Sequence, residues 1–369
     1  MNKKNRLAKI FTFILLSCLF TKLIAADQNY GNSGEPISPK LVIGYDPYYI
    51  PSWSAAIIRA KKLFEKHLPR GSIVEFSAGS DQVTMAGLIE GKIHIAYLSD
   101  LQAIAATTRS EADLRIVGVL AFGSDLCNIL VTRYNAPKFG DAKEAFKWLQ
   151  GKQVAVPKGF CNDRFAQAIF QREKIEPSSY LDQSIASIAY GFRTNKIDAA
   201  VLWEPTASKL IQEGSARRVA SGISIGENDA GFLVMRGDLI KQRPDIVKQW
   251  LQAELDAQLF IIEPKNSKVV ASIVSQQTTG FSTKLLWFSF FAQRPSNEVG
   301  SNPRAIYYYT FTPEVTALIT KGTSFLQSNK IIPNNKLRND AVMAEYSEEV
   351  LKDRGLSTTA EIGEIQAKK

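Results

Sequence analysis

Histidine is nearly absent from this chain, with His67 and His94 its only two in 369 residues. Cysteine and methionine are as scarce, at three and four. No pair of His, Cys or acidic residues stands at metal-ligand spacing, so neither a metal centre nor any other cofactor is expected. There is no Walker loop and no Gly-rich dinucleotide fingerprint. No apolar run reaches the roughly 18 residues that a membrane span needs. Basic residues form no stripe with interleaved aromatics, which excludes the usual signature of a nucleic-acid partner.

What is present is ordinary globular composition: 45% apolar, 22% charged and 10% aromatic residues. Disorder, collagen and coiled coil are thereby excluded. The length suits two domains of usual size. The net charge of +9 is unevenly spread. Lys3, Lys4, Arg6, Lys9 and Lys22 lie in the first 25 residues with no acid, which leaves 40 basic against 36 acidic residues elsewhere.

That basic start is followed by an apolar core, Ile10 to Phe20, and by the small residues Ala25-Ala26. The pattern is that of a secretory signal peptide. Ser17-Cys18 after Leu15-Leu16 offers an alternative lipoprotein cleavage, against which Leu16 is bulky and Lys22 follows. The expectation is a soluble exported protein starting at Ala26 or Asp27. Cys127 and Cys161 would survive cleavage, and two thiols make no disulfide framework.

From Lys40 onward short apolar strands alternate with amphipathic helices. "LVIGY", "SIVEFSAG", "IHIAYLSD" and "LRIVGVLAF" read as strands, with helices such as "DQVTMAGLIEGK" between them. A second series runs through "CNILVTR", "KQVAVPKGF", "DRFAQAIFQREK" and "IDAAVLWEP". Strands alternating with helices predict parallel βαβ units. "LIEGKIHIAYLSD" and "FRTNKIDAAVLWE" share one design, which predicts two similar lobes. "GFLVMRGDLI" then predicts a strand that crosses back to the first lobe.

Constellations for catalysis fail in turn. Gly222-Ile223-Ser224-Ile225-Gly226 has nucleophile-elbow spacing, but a polar stretch follows it and both histidines precede it. A Cys161 nucleophile lacks a His partner, since His94 reads as a satisfied strand-end residue. The expectation is therefore a protein that is not an enzyme.

Several loops instead open helices at the carboxyl ends of strands, where open α/β sheets bind ligands. They are Tyr45 to Trp53, Ser77 to Ser80, Ser99-Asp100, Pro157 to Asn162, and Trp203 to Pro205. Backbone N–H groups at such ends favour anions. Each Ser or Asp alone reads as a helix cap. Divided between two lobes, the five loops predict a shared cleft.

The strand "LVIGY", "FSAGSDQVTMAGLIEGKIHIAYL", "GKQVAVPKG" and "NKIDAAVLWEP" together resemble periplasmic substrate-binding proteins of ABC importers, of the nitrate, sulfonate and taurine type. The resemblance spans roughly Lys40 to Leu239. It implies a type II periplasmic-binding-protein fold: two α/β lobes, each a mostly parallel sheet flanked by helices, hinged on two crossing strands. The division it implies is a signal peptide at 1–25, a linker at 26–39, lobe 1 at 40–123 and 227–330, lobe 2 at 124–226, and a peripheral tail at 331–369. It further implies a periplasmic monomer that delivers a small molecule to an ABC permease and its ATPase.

Carried over by position, the ligand contacts fall on Tyr48, Trp53, Gly79, Ser80, Ser99, Gly159, Phe160, Cys161, Asn162, Trp203 and Glu204. Phe160 and Cys161 replace the small hydroxyl residues common in that loop, which argues against nitrate and for an organic anion or zwitterion, sulfonate- or taurine-like. Glu204 would meet an ammonium; turning outward or pairing with Lys or Arg is its alternative. With the usual strand order, one strand separates those bearing Cys127 and Cys161, so free thiols are expected. A ligand sensor and an exported enzyme on the same fold are the competing readings.

Overall fold

The alternation of apolar strands and helices folds into two sheets with helices on their faces. The computed structural model describes residues 29–37, 40–293, 304–334 and 336–366. The expected signal peptide at 1–25, with its cleavage site and Cys18, lies outside the described residues.

A first pass forms β1 (Leu41–Tyr45), α1 (Trp53–Lys61), β2 (Val74–Ala78), α2 (Asp81–Ile89), β3 (Ile95–Ser99), α3 (Asp100–Thr107) and β4 (Leu114–Gly123). A second forms β5 (Ile129–Arg133), α4 (Ala142–Trp148), β6 (Gln153–Val156), α5 (Cys161–Glu173), β7 (Ser179–Asp182), α6 (Ile185–Arg193), β8 (Ala199–Leu202), α7 (Thr206–Gln212) and β9 (Ala216–Ser221). The chain then returns through β10 (Asp229–Arg236), α8 (Gly237–Gln242), α9 (Pro244–Ile262), α10 (Ser267–Ser275) and α11 (Thr283–Phe291). It ends with β11 (Arg304–Tyr307), α12 (Pro313–Ser328), α13 (Ala344–Asp353) and β12 (Gly363–Gln366).

The first sheet has the order β12-β11-β4-β10-β3-β1-β2, and the second β7-β6-β8-β5-β9. β1 is parallel to β2 and β3, while β10 runs antiparallel between β3 and β4. In the second sheet β6 is parallel to β7 and β8, and β5 is antiparallel to β8 and β9. The reversed strands β5 and β10 are those on which the chain enters each sheet from the other. Their neighbours are buried on both faces, which explains continuous apolar runs where half-exposed strands would alternate. Leu41, Ile43 and Tyr45 point to a core shared with Trp250 and Leu251, and Val42 to one shared with Leu101 and Ile104.

The two passes echo each other in detail. Lys92 N–H donates to Gly87 O after α2, and Lys196 N–H to Gly191 O after α6, both at 2.8 Å. Residues 124–128 and 222–228 carry the chain between sheets. They are tied at Gly222, whose N–H donates to Ser124 O at 3.0 Å and Asn128 O at 2.9 Å. A Cβ there would lie 2.5 Å from Ser124 O, so the two crossings approach as closely as a residue without a side chain allows.

Two sequence expectations need correction. Within the expected linker, Tyr30 is fully buried and its hydroxyl donates to Asp238 at 3.2 Å, while Arg243 donates to the carbonyls of Tyr30 and Glu35. The expected peripheral tail adds α13, whose Val350 and Leu351 are fully buried, and β12, which pairs with β11 at the sheet edge. A few apolar side chains suffice there because α9 and β4 already supply the opposing surface.

Candidate ligand cavity between the two sheets

The strand ends of both sheets face a cavity of about 520 Å³. From the body of the first sheet come Asp46, Tyr48 and Tyr49 after β1, Ser80 to Gln82 at the start of α2, Ser99 at the end of β3, and Phe281 before α11. The second sheet contributes Pro157, Phe160 and Cys161 before α5, Ser184 to Ala186, Ala189 and Arg193 of α6, and Trp203, Thr206 and Lys209 around α7. Cys127 on the first crossing completes it.

Aromatic rings close the cavity from both sides. Tyr49 and Trp203 meet edge to face across the lobes at 6.3 Å, and Phe160 lies 5.9 Å from Trp203. Tyr48 is held by Thr279 N–H, which donates to its hydroxyl at 2.9 Å, and by Phe281 at 5.5 Å.

The two walls differ in charge. On the first, the Asp46 carboxylate accepts only the Tyr48 N–H, at 2.9 Å, among the described residues. Asp81 accepts both the Ser99 N–H at 3.1 Å and its hydroxyl at 2.6 Å. Burial pushes the Asp46 carboxyl up to about 7, with the Tyr48 N–H acting against it and neighbouring Asp81 adding to it. Burial likewise pushes Asp81 up to about 6, against its bonds from Ser99 and with help from Asp100. Behind them Asp229 is fully buried and, above all through burial, is pushed well above the ordinary carboxylate value.

On the second wall, α6 points its first turn at the cavity, with Ser184 as N-cap accepting from Ser187 N–H at 3.2 Å. The N–H groups of that turn and the helix dipole make this end electropositive. Lys209 places its ammonium 4.5 Å from the centre of the Phe281 ring. Arg193 lies at the rim in an ion pair with Glu213 at 2.8 Å.

The lobes touch beside the cavity. Buried Arg164 of α5 pairs with buried Asp100 of α3 at 2.8 Å, donates to Asn228 O at 2.7 Å, and lies 3.7 Å from Glu227. Gln102 adds a bond to Gly159 O at 3.1 Å. Among the described residues, no group of three or more His, Cys, Asp or Glu is placed to hold a metal ion.

Of the residues proposed from sequence, Tyr48, Ser80, Ser99, Phe160, Cys161 and Trp203 line this cavity. Trp53 does not: it is fully buried, donates to Pro47 O at 3.2 Å and packs on Phe290. Gly79 is spent on a bond to Tyr45 O, and Gly159 lines a separate groove beside Gln102. Asn162 is buried and donates to Cys127 O at 2.6 Å. Glu204 turns into the second lobe, where it pairs with buried Arg218 and accepts from Ser208 N–H at 3.0 Å and its hydroxyl at 2.9 Å. Its proposed role with a ligand ammonium is corrected to a structural ion pair.

The thiols are corrected too. Cys127 and Cys161 form a disulfide, with Cα atoms 6.2 Å apart. β8 does separate β5 from β6, as expected. Both cysteines, however, lie beyond the strand ends, where the crossing and the α5 loop converge. Asp46, Asp81, the start of α6 and Lys209 were missed. Asp81 reads as an ordinary first-turn acid and Ser184 as an ordinary cap, whereas Phe281 reaches the cavity only through tertiary packing.

No protein-family model and no curated protein sequence matches the chain. Solved structures do. The periplasmic nitrate-binding protein NrtA from Synechocystis PCC 6803 is similar with a TM-score of 0.67 at 16% identity, over 86% of this chain and 90% of that one. The alkanesulfonate-binding protein SsuA from Xanthomonas axonopodis pv. citri, bound to MOPS, gives 0.64 at 18% identity, over 84% and 99%. The desulfurization enzyme DSZB gives 0.60 at 15% identity, over 85% and 100%. At such identities the shared property is the fold, the two-lobe α/β fold of periplasmic binding proteins. The third similarity corrects the expectation of a chain that is not an enzyme: the same fold carries catalysis, so fold does not separate capture from turnover.

Proposed function

We propose that this protein is the solute-binding component of an ABC import system, which captures a small organic anion between its lobes and delivers it to a permease. The observation that carries this reading is the aromatic-lined interlobe cavity of about 520 Å³ with an electropositive wall at α6 and Lys209. Three proteins of the same fold point to one ligand chemistry. SsuA is bound to MOPS, a sulfonate, NrtA binds nitrate, and DSZB has been solved with biphenyl-2-sulfinic acid. The rings of Tyr48, Phe160, Trp203 and Phe281 favour the larger of these over nitrate, because they offer apolar surface that a small inorganic ion leaves unused.

Export to the periplasm as a soluble monomer accords with the basic and apolar N-terminal pattern and with a disulfide, which persists in oxidising compartments. No helix among the described residues is long and apolar enough to cross a membrane.

Thermal-shift screening of sulfonates, sulfinates and carboxylates tests the reading. At least one aryl or alkyl compound is expected to raise the melting temperature, and Lys209→Gln to remove most of that rise. A flat screen, or a rise that Lys209→Gln leaves intact, would count against it. The same incubations, followed by chromatography, read whether a bound compound is consumed.

A further inference from the structure

We infer that the ligand is dipolar: its apolar body bears an anionic group toward α6 and Lys209 and an ammonium, or an equally strong cationic donor, toward Asp46 and Asp81. The inference deepens the capture reading and rests on it. Both carboxyls line the cavity, and the groups acting on them are Tyr48 N–H, Ser99 and other acids. No basic side chain is among these. Asp81 spends one oxygen on both of its bonds from Ser99, and Asp46 spends one on Tyr48 N–H. Each carboxylate therefore keeps acceptor capacity toward the cavity.

The surrounding field has the same sign. Asp100 stands beside Asp81, and Asp229 is buried behind Tyr49. Arg164 is committed to Asp100 at 2.8 Å and to Asn228 O, and Arg193 to Glu213 at 2.8 Å. Burial of two acids without a cation is costly, as their raised titration ranges record. A ligand cation placed between them would recover that cost.

On the opposite wall the sign is reversed, and Lys209 has an aromatic face as its neighbour rather than a carboxylate. A plain anion fills the basic wall but is repelled by the acidic one, and a plain amine meets the converse. Only a ligand with both poles satisfies both walls, and the unfavourable pairings exclude the others. This replaces Glu204, which is spent on Arg218, with a different pair of acids.

Calorimetry with three matched probes on ligand-free protein tests the inference: 4-(aminomethyl)-, 4-(hydroxymethyl)- and 4-methylbenzenesulfonate. The aminomethyl compound is expected to bind about tenfold or more tightly than the methyl one, as a charge-assisted hydrogen bond gives. Asp46→Asn is expected to erase most of that preference. Equal affinities for the aminomethyl and methyl compounds overturn the inference and leave the capture reading standing. So does a preference that survives both Asp46→Asn and Asp81→Asn. Hydroxymethyl binding equal to aminomethyl binding overturns the cationic pole. Heat from none of the three, with the protein folded by circular dichroism, overturns the inference, and a flat thermal-shift screen beside it sinks the capture reading as well. The probe comparison on unaltered protein needs no variant to fold.

Discussion

Asp46 and Glu204 are both acids at strand ends, yet the structure gives them opposite fates. Glu204 has Arg218 on β9 within reach and collapses onto it, so its charge is matched inside the lobe. Among the described residues the Asp46 carboxyl meets only the Tyr48 N–H, and burial lifts it to about 7. A carboxyl whose titration is raised on folding holds a proton that the unfolded chain gives up. Its stabilising contribution is thus complete below the ordinary carboxylate range and is lost as pH rises through 6 to 7, the values of Asp81 and Asp46. Ligand-free protein is expected to melt at higher temperature at pH 5 than at pH 8. Asp46→Asn should flatten much of that slope and gain about 1 kcal/mol or more at pH 8. Thermal unfolding of both proteins across this range checks it, and a slope of the opposite sign or an unchanged variant would contradict it. A site that is improved in stability by losing its acid is the usual mark of a functional residue.

The two crossings and the disulfide act at the level of elements. Cys127 sits on the first crossing and Cys161 opens α5, so the bond ties the hinge to the loop that carries Phe160. Spacing along the chain says nothing of this. It depends on how far each cysteine stands past its strand, which strand order alone does not fix. The bond closes a loop with a sequence separation of 34, worth about 2–4 kcal/mol. The denatured, unreduced protein should show neither thiol to a titrating reagent, and Cys127→Ser with Cys161→Ser should lower stability by about that amount. Two titratable thiols would falsify the pairing. β7 was likewise invisible to patterning, since "SYLD" is short and half-polar, and it becomes a strand by pairing with β6 at the edge. The start of α6, which follows it and opens on the cavity, was lost with it.

At the scale of the whole molecule the order of strands and helices was legible, because buried parallel strands must be apolar throughout and their helices amphipathic. The return through β10 was legible for the same reason, as "GFLVMR" has no polar face to offer solvent. β11, α13 and β12 were not, because their place is set by an edge of β4 already built and by α9, not by their own pattern. Charge division between the walls was also hidden, since it arises only when the two lobes meet. Capture of an organic solute between those walls is the central claim. A crystal structure of the protein with the strongest thermal-shift ligand tests it most directly. The account predicts density between Tyr48, Phe160 and Trp203, with the anionic group at Ser184 to Ala186 and Lys209. A ligand bound outside this cavity, on a lobe surface or in the groove beside Gln102, would contradict it.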